Sequence, residues 1–475
     1  MPLIVNTNIQ SLNAQRNLSK TLTPLQTAMQ RLSSGLRINS AKDDAAGLTI
    51  ATRMDSQMRG IEQAIRNAND AVSLVQTAEG AIDEMTNALQ RMRELSVQSA
   101  NGSNTAFDRQ ATDQEVQQLI QEIDRISTQT QFNSQTLLDG TLGTKAFQVG
   151  ANAGQTINVT MSQSLRSNAI GQIATATGAV TAATWADGGL TVAIGSAPAV
   201  SITGPVADAT ITQRSTDSAW AKAQAINTSG VAGLTVTATN AQTNLLAGTT
   251  TSAGQTYTLT VNDVPIYTTA DIGNAAISAS AIAAQINLYS TQTGVSAAYD
   301  SGSGNVTLTA ADGRNIITAQ SFGGGASGGL NAALVGTLRG SVSLSASDNI
   351  TMTGAFASLG LGATIAKDSS TISGITVQSA DAANDAMKRI DSALSVISST
   401  RATLGATLNR FSSTTSNLSN VLENITAAHS RIMDADFAAE SANITKSQIL
   451  QQAGISVLAQ ANTSTQSVLA LLQKM

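Results

Sequence analysis

The sequence lacks cysteine altogether and is poor in aromatic residues, which make up 3% of its 475 residues. Without cysteine, disulfide bonds and thiolate metal sites are excluded. Charged residues account for only 12% of the chain, and the formal net charge is −5. So small a net charge over this length argues against a protein that binds nucleic acid by neutralising phosphates.

Two kinds of hydrophobic segment are also missing. The N-terminal stretch MPLIVNTNIQSLNAQ contains no basic segment followed by an apolar run and a small-residue cleavage site, so no Sec signal peptide is predicted. No run approaches the ~20 consecutive apolar residues that a membrane-spanning helix requires. Unless another export route is implied, this pattern is typical of a cytosolic protein that does not insert into membranes.

A set of residues for catalysis or metal binding is missing as well. His429 is the single histidine and lies in a helical segment among Ala and Ser, where we expect a solvated side chain. The pattern G-x-S-x-G occurs at residues 325–329, but the glycine run around it lacks the strand and helix that flank a catalytic serine. Asp43 and Asp44 fit negative charge at a helix N-terminus better than a metal site. We therefore predict no enzyme activity, no cofactor and no metal.

The chain does contain apolar residues at steps of three and four, the pattern of long helices that pack along one seam. One stripe covers residues 387–425, where Arg401 and Thr415 interrupt it, and another covers residues 54–95. Stripes of this length need a partner, so the two helices are predicted to pair. The predicted rod-packing residues are Met54, Met58, Ile61, Ile65, Val72, Val75, Leu394, Ile397, Leu404, Leu408, Phe411, Leu418, Leu422 and Ile425.

Both chain ends are predicted to form weakly charged helices. Apolar residues recur at helical spacing within residues 1–43, and residues 444–472 are apolar or small on several faces. Helices that are apolar on more than one side are usually buried in a larger structure. Two interpretations remain open: a core helix pair within one monomer, or helices that become buried only in an assembly.

The middle of the chain has a different composition. Between about residues 170 and 370 there is neither Glu nor His, and Thr, Ser, Ala, Gly and Val alternate in short runs typical of strands. Residues 191–202 resemble residues 258–269, and each segment is followed by an Ala-rich helix ending in Ile-Asn and by a Gly-Val strand start. The predicted fold is α+β, a long antiparallel, coiled-coil helical rod formed by both chain ends with a two-lobed β-rich insertion.

Seven segments outside the middle of the chain carry a more specific signal. They are RLSSGLRINSAKDDAAGLTIA (31–51), NANDAVSLVQTAEGA (67–81), QRMRELSVQSANG (90–102), QEIDRIS (121–127), TQFN (130–133), SRIMDADFAAE (430–440) and QILQQAGISVLAQAN (448–462). These segments resemble bacterial flagellin. The resemblance implies a structural subunit that polymerises into the flagellar filament for swimming motility.

The same resemblance implies a domain layout and an export route. Residues 1–43 and 436–475 would form the inner filament tube, residues 44–170 and 369–435 the outer tube with a β-hairpin, and residues 171–368 the variable surface insertion. Secretion would use the flagellar type III apparatus without a cleaved signal peptide and end at the extracellular filament. The implied partners are further copies in a helical homopolymer, an export chaperone, the cap and hook-associated proteins, and the host Toll-like receptor that senses flagellin.

Two immune-recognition sites are also implied by the resemblance. The receptor-recognition surface maps onto Arg91, Leu95 and Glu115, although Arg91 and Glu115 are alternatively rod-surface charges that serve subunit packing. The C-terminal leucines sensed by cytosolic immune receptors map onto Leu469, Leu471 and Leu472. The chain continues past them with Gln-Lys-Met, a small departure from the family pattern.

Two other functions remain open from the sequence. A hook–filament junction protein shares the terminal helices, but the DDAAGL and QILQQAG matches favour flagellin. The middle lobes are alternatively a filament-borne adhesin or glycan-binding module, because both Trp and all four Tyr lie there. Core packing also explains those aromatic residues.

Overall fold

The computed structural model describes residues 7–250, 254–272 and 275–472, with side chains up to residue 463. Its helices are α1 (Ile9–Ser34), α2 (Ala45–Ala100), α3 (Ala106–Gln129), α4 (Ala219–Thr228), α5 (Ala279–Leu288), α6 (Ser290–Thr293), α7 (Ala380–Met433) and α8 (Phe437–Leu472). Its strands are β1 (Gln131–Phe132), β2 (Gln135–Thr136), β3 (Gly143–Gln148), β4 (Thr156–Met161), β5 (Ala174–Ala179), β6 (Leu190–Ile194), β7 (Val200–Ile202), β8 (Leu234–Ala247), β9 (Thr256–Val261), β10 (Val264–Asp271), β11 (Ser296–Asp300), β12 (Asn305–Ala310), β13 (Ile316–Gly323), β14 (Gly329–Leu330), β15 (Gly336–Leu338), β16 (Ser341–Ala346), β17 (Ile350–Gly354) and β18 (Thr364–Ile365). The predicted α+β architecture, with helices at both chain ends and a β-rich middle, is confirmed.

The chain divides into two compact units. The first unit contains Met1–Thr77, Thr144–Thr160 and Thr403–Met475, and the second contains Ala78–Gly143 and Met161–Ala402. Both long helices, α2 and α7, contribute one part to each unit.

In the first unit, α1 lies along α8. The N-cap residue Asn8 accepts a hydrogen bond from Ser11 N at 3.0 Å, and α1 ends before Gly35, whose φ of 73° is left-handed. A residue without Cβ adopts this conformation at little cost, so Gly35 can end α1 here. The predicted hairpin is formed by β3 and β4, and Phe147 of β3 packs edge-on against Phe411 of α7 with ring centroids 6.0 Å apart.

In the second unit, α3 follows α2 after a short turn. Its N-terminus is a capping box, in which Thr105 and Asp108 each bind the other's backbone N–H through their side chains. Its apolar side chains Val116, Ile120 and Ile123 are buried. A two-residue turn beyond α3 joins β1 to β2, a hairpin too short to produce an alternating pattern in the sequence.

The β-rich part of the second unit has two hydrophobic cores. The first lobe packs around a cluster that includes Trp185, Leu190, Ile226, Val342 and Leu359. The second lobe packs around a cluster that includes Tyr257, Leu259, Ile286, Leu308 and Ile316. The two lobes predicted from the internal repeat therefore exist as separate cores.

One strand belongs to both lobes. The first half of β8 pairs with β16, with Thr239 opposite Ser341, and its second half pairs with β12, with Asn240 opposite Ala310. The resulting sheet has the order β11-β12-β8-β16-β5. At the base of the first lobe, Ala174 forms an isolated bridge with Lys367.

The repeated Ile-Asn pair has the same role in each lobe. Ile226 and Ile286 are buried near the ends of α4 and α5. The adjacent Asn287 side chain donates to the Ala297 carbonyl and accepts from the Ala297 N–H, both at 2.7 Å, while Asn227 donates to the Val236 carbonyl at 3.2 Å. In both lobes the asparagine thus attaches the helix to the following strand.

Candidate functional site

The helix pair α1–α8 leaves most of its large apolar side chains uncovered. Only Ala14 and Ala28 are buried in α1. The side chains buried in α8, as far as residue 463, are Glu440, Ser447 and Ala461. The large apolar side chains exposed on the pair, by 38% to 69%, are Ile9, Leu12, Leu22, Met29, Phe437, Ile449, Leu450, Ile455 and Val457. An apolar surface of this extent marks an interaction site.

Backbone hydrogen bonds join the segment after α1 to the segment between α7 and α8. Arg37 N donates to the Met433 carbonyl at 2.6 Å, and Ala435 N donates to the Gly35 carbonyl at 2.9 Å. The Arg37 guanidinium also donates to the Ile432 carbonyl at 2.6 Å, where the last carbonyls of α7 need donors. We call residues 35–37 and 432–435 the clasp.

Charged groups close to the clasp form ion pairs and hydrogen bonds within the fold. Arg31 of α1 pairs with Glu440 of α8 at 2.9 Å, with side chains 29% and 10% exposed. Hydrogen bonds from the backbone N–H groups of Asn39 and Ser40 lower the pKa of Asp43. Asp44 accepts a hydrogen bond from Gly47 N at 2.8 Å, which caps the first turn of α2.

All predicted rod-packing residues are buried or half-buried. The fully buried ones are Ile61, Val75, Ile397, Leu404 and Phe411. The half-buried ones are Met54, Met58, Ile65, Val72, Leu394, Leu408, Leu418, Leu422 and Ile425. Except for Leu394, every half-buried position belongs to the first unit.

The two polar positions in the stripe of α7 differ in their contacts. Arg401 pairs with Glu79 at 2.8 Å and Asp83 at 3.1 Å, both on α2. A charged group at a single seam position fixes the alignment of two helices, because a shift along the seam separates the charges. Thr415 Oγ1 is buried and has no hydrogen-bond partner among the described residues.

Two of the three residues mapped to receptor recognition lie together at the surface. Arg91 of α2 donates to Glu115 of α3 at 2.9 Å, and both side chains are about half exposed. Arg91 also pairs with Glu94 at 3.1 Å. Leu95 is only 2% exposed, so its side chain packs inside the helical part of the second unit rather than beside them. Leu469, Leu471 and Leu472 lie in α8, but their side chains are outside the part that the structure describes.

The aromatic residues of the middle lobes are packed rather than presented. Tyr257 is fully buried and stacks on Phe322 with centroids 5.1 Å apart. Trp185 is 7% exposed. The ring of Trp220 is covered by the Arg214 guanidinium at 4.7 Å. These contacts fit the core-packing interpretation.

The residues considered for chemistry are not assembled into a reactive site. His429 is half-buried on α7. Residues 325–328 lie in a loop that leads into Gly329, the first residue of β14, and Gly325, Gly328 and Gly329 have positive φ. No group of three or more His, Asp or Glu side chains able to hold a metal occurs in the described residues. Within the same residues, every helix is too short or too polar to cross a membrane.

One unusual residue gave no signal in the sequence. Lys222 of α4 is fully buried, and its Nζ donates to the carbonyls of Thr181 at 2.7 Å and Ser358 at 2.8 Å. Burial lowers the pKa of Lys222 to about 8. The surrounding sequence, SAWAKAQAIN, shows a lysine in an Ala-rich helix and nothing that indicates which face is covered.

Known proteins resemble this chain in both of its terminal helical regions and over its whole length. The N-terminal helical region of bacterial flagellin matches residues 5–142, and the C-terminal helical region matches residues 387–472. The B-type flagellin of Pseudomonas aeruginosa is 38% identical over all of both chains. Flagellin B of Vibrio anguillarum is 36% identical over 99% of this chain and all of its own, and the flagellin of Salmonella typhimurium is 36% identical over all of both.

Among solved structures, FliC from Burkholderia pseudomallei is 24% identical and covers 72% of this chain and 99% of its own, with a TM-score of 0.30. Family membership rests on the sequence matches, which extend from one end of the chain to the other. The chain therefore belongs to the bacterial flagellin family and is a structural subunit of the flagellar filament.

Proposed function

We propose that the chain polymerises with copies of itself through the apolar surface of α1 and α8. The nine large apolar side chains exposed on this pair carry the proposal. Burying them would contribute on the order of 10 kcal/mol. Immobilising a subunit costs about 4–15 kcal/mol. A single pairwise contact therefore gains little, and growth is expected where an incoming subunit meets several neighbours at once, as at a filament tip.

The domain layout of such a filament follows from the same proposal. Residues 1–43 and 436–475 form the inner tube, residues 44–170 and 369–435 the outer tube, and residues 171–368 the surface insertion. The half-buried seam positions of the first unit, such as Met58 and Leu422, leave apolar area for neighbouring subunits. A heterologous contact repeated by every subunit without closure produces a helical homopolymer.

Seeded polymerisation followed by electron microscopy tests this proposal. Ile455→Asn removes an exposed apolar side chain, and Ser456→Asn places the same new residue at the adjacent exposed position. We expect Ile455→Asn to raise the critical concentration roughly fivefold, for about 1 kcal/mol of lost burial, with little change for Ser456→Asn. A chain without residues 1–43 and 444–475 should keep helical circular dichroism and form no filaments. Filaments from this truncated chain would refute the proposal.

We propose further that the subunit is secreted unfolded through the flagellar type III apparatus. An export chaperone would cover the apolar terminal helices before secretion, and the cap and hook-associated proteins would meet them outside the cell. The match of both helical regions to bacterial flagellin supports this route. Secretion that persists in cells without the flagellar export apparatus would exclude it. The subunit has no catalytic role in this proposal.

Recognition by the host Toll-like receptor that senses flagellin is proposed for the surface around Arg91 and Glu115. The supporting observation is that the two side chains are exposed and held together by an ion pair. Leu95 would act indirectly, through packing beneath this surface. We expect Arg91→Ala to weaken receptor activation by the monomer. The control is Arg59→Ala in the first unit, where the Arg59 side chain is 78% exposed, and this variant should leave activation unchanged. Equal responses would remove Arg91 from the site. Leu469, Leu471 and Leu472 remain proposed contacts of cytosolic immune receptors.

A further inference from the structure

The turn between α2 and α3 contains Asn101-Gly102, the single Asn-Gly pair in the sequence. Both residues are exposed. Glycine is the residue that least hinders attack of its own backbone nitrogen on the preceding asparagine side chain, since it has no Cβ. Nothing lies within 4 Å of the position that a Gly102 Cβ would occupy, so the pair is open to solvent.

The side chain of Asn101 is held close to the backbone that follows it. Its Oδ1 accepts a hydrogen bond from Ser103 N at 3.2 Å, which folds the amide back over the backbone in an Asx-turn. The Ser103 N–H also points at the oxygen on which negative charge develops when Cγ is attacked, as a donor in an oxyanion hole does.

The rest of the turn keeps this geometry in place. Asn104 N donates to the Asn101 carbonyl at 3.2 Å, and the Arg109 guanidinium donates to the same carbonyl at 3.0 Å. The Asn104 side chain donates to the Gln98 carbonyl at 2.6 Å. In the part of the chain that the structure describes, the Gly102 N–H has no hydrogen-bond acceptor, so no bond must break before the nitrogen reacts.

We propose that Asn101 is a site of spontaneous deamidation. Hydroxide removes the proton from the Gly102 nitrogen, and that nitrogen forms a bond to Asn101 Cγ. The bond from Cγ to the side-chain nitrogen then breaks, and ammonia leaves with a proton taken from water. One water molecule next opens the succinimide ring at either of its two carbonyls. The product is aspartate or isoaspartate, and no oxidant or reductant takes part.

Either product changes the junction between α2 and α3. A carboxylate at position 101 follows directly after the C-terminus of α2, where the helix dipole disfavours negative charge. Arg109 is a cation that can compensate, because its guanidinium already contacts the residue 101 carbonyl. Isoaspartate in addition places one extra methylene in the backbone of a turn that several hydrogen bonds hold. The inference is independent of the proposed mode of polymerisation.

Incubation of the purified full-length chain at mildly alkaline pH, followed by peptide mapping and isoaspartate detection, tests the inference. We expect aspartate and isoaspartate to accumulate at position 101 before any other asparagine reacts, and faster as hydroxide concentration rises. Gly102→Ala is the matched control. The position has space for a methyl group and no left-handed φ, so the variant keeps the turn and its Asn101 should react no faster than the other asparagines.

Two results would overturn the inference. One is an Asn101 that stays as intact as the remaining asparagines of the folded chain, or that reacts equally fast in Gly102→Ala. The other concerns a synthetic peptide that spans residues 98–105. If the Asx-turn presents the amide for attack, Asn101 in the folded chain reacts at least as fast as in this peptide. Strong protection relative to the peptide would show that the turn holds the amide away from Gly102.

Discussion

Replacement of Lys222 by methionine tests what it costs to bury an amine in the first lobe. Burial lowers the pKa of Lys222 from 10.5 to about 8 in the folded chain. In the unfolded chain the pKa returns to about 10.4. Between these two values the unfolded chain binds more protons than the folded chain, so the contribution of Lys222 makes the free energy of unfolding increase with pH.

The expected magnitude follows from the same pKa values. At pH 7 the amine is charged in both states, and the lowered pKa corresponds to a cost of about 3 kcal/mol. At pH 10 the buried amine is neutral and about 1 kcal/mol of the cost remains. Relative to Lys222→Met, the free energy of unfolding of the unmodified chain should therefore rise by about 2 kcal/mol between pH 7 and pH 10. Taking the difference from the variant removes the contributions of the other titrating groups.

Tryptophan fluorescence during urea unfolding measures this lobe selectively, because Trp185 belongs to its core and Trp220 lies on α4 beside Lys222. Lys367→Met, at an exposed lysine, is the matched control and should show little pH-dependent difference. If the difference between the unmodified chain and Lys222→Met is the same at pH 7 and pH 10, the folded and unfolded chains bind the same number of protons at Lys222, and burial does not lower its pKa. The reasoning from burial would then be wrong.

Three further predictions concern packing and ion pairs of the second unit. Gly80→Ala, on an open face of α2, should raise the free energy of unfolding by about 0.5–1 kcal/mol. Gly178→Ala should lower it by about 2 kcal/mol or more, because the new Cβ would lie 2.2 Å from a backbone oxygen. Thermal unfolding of both variants checks this. Asp113→Ala leaves a buried backbone N–H of the segment before α7 without its acceptor and should cost about 1–3 kcal/mol, seen as faster hydrogen exchange in that segment. A double-mutant cycle between Arg401 and Glu79 should give a coupling of about 0.5–1 kcal/mol that declines with salt, and zero coupling at low salt would contradict their cross-seam pairing.

The long helices could be predicted from the sequence because their determinants are local and periodic. The stripes of α2 and α7 repeat over many turns, and Gly35 ends α1 by its own conformational freedom. The uncovered apolar surface of α1 and α8 was likewise indicated by composition, since these helices carry too few charges to be solvated alone. Arg401 was visible only as an interruption of the stripe, and its partners Glu79 and Asp83 depend on the alignment of two helices distant in sequence.

Features set by tertiary contacts were not predictable. The alternating pattern of β8 is continuous, and nothing in it marks the change of pairing partner at Asn240. Leu95 was mapped to a surface by resemblance, but the inward face of its helix is decided by the packing in the second unit. Lys222 is a common residue in a common type of helix, and only the assembled lobe shows that it is surrounded. The hairpin of β1 and β2 needs left-handed φ at Asn133 and Ser134, which local composition does not specify.

The first and last residues of each inserted segment are paired in the fold, and this affects how genes for this chain and its relatives can vary. Thr239 and Ser341 are cross-strand neighbours, and the second lobe lies in sequence between them. Ala174 and Lys367 bridge in the same way and enclose the whole first lobe, so one insertion is nested inside another. The two ends of each inserted segment lie next to each other in the fold. The DNA that encodes the segment can therefore be lost, gained or exchanged in one piece, and the strands that flank it can still be joined by a short turn. Recombination is therefore expected to alter the outer lobes as whole modules, and the same two junctions are the places at which a foreign domain can be grafted.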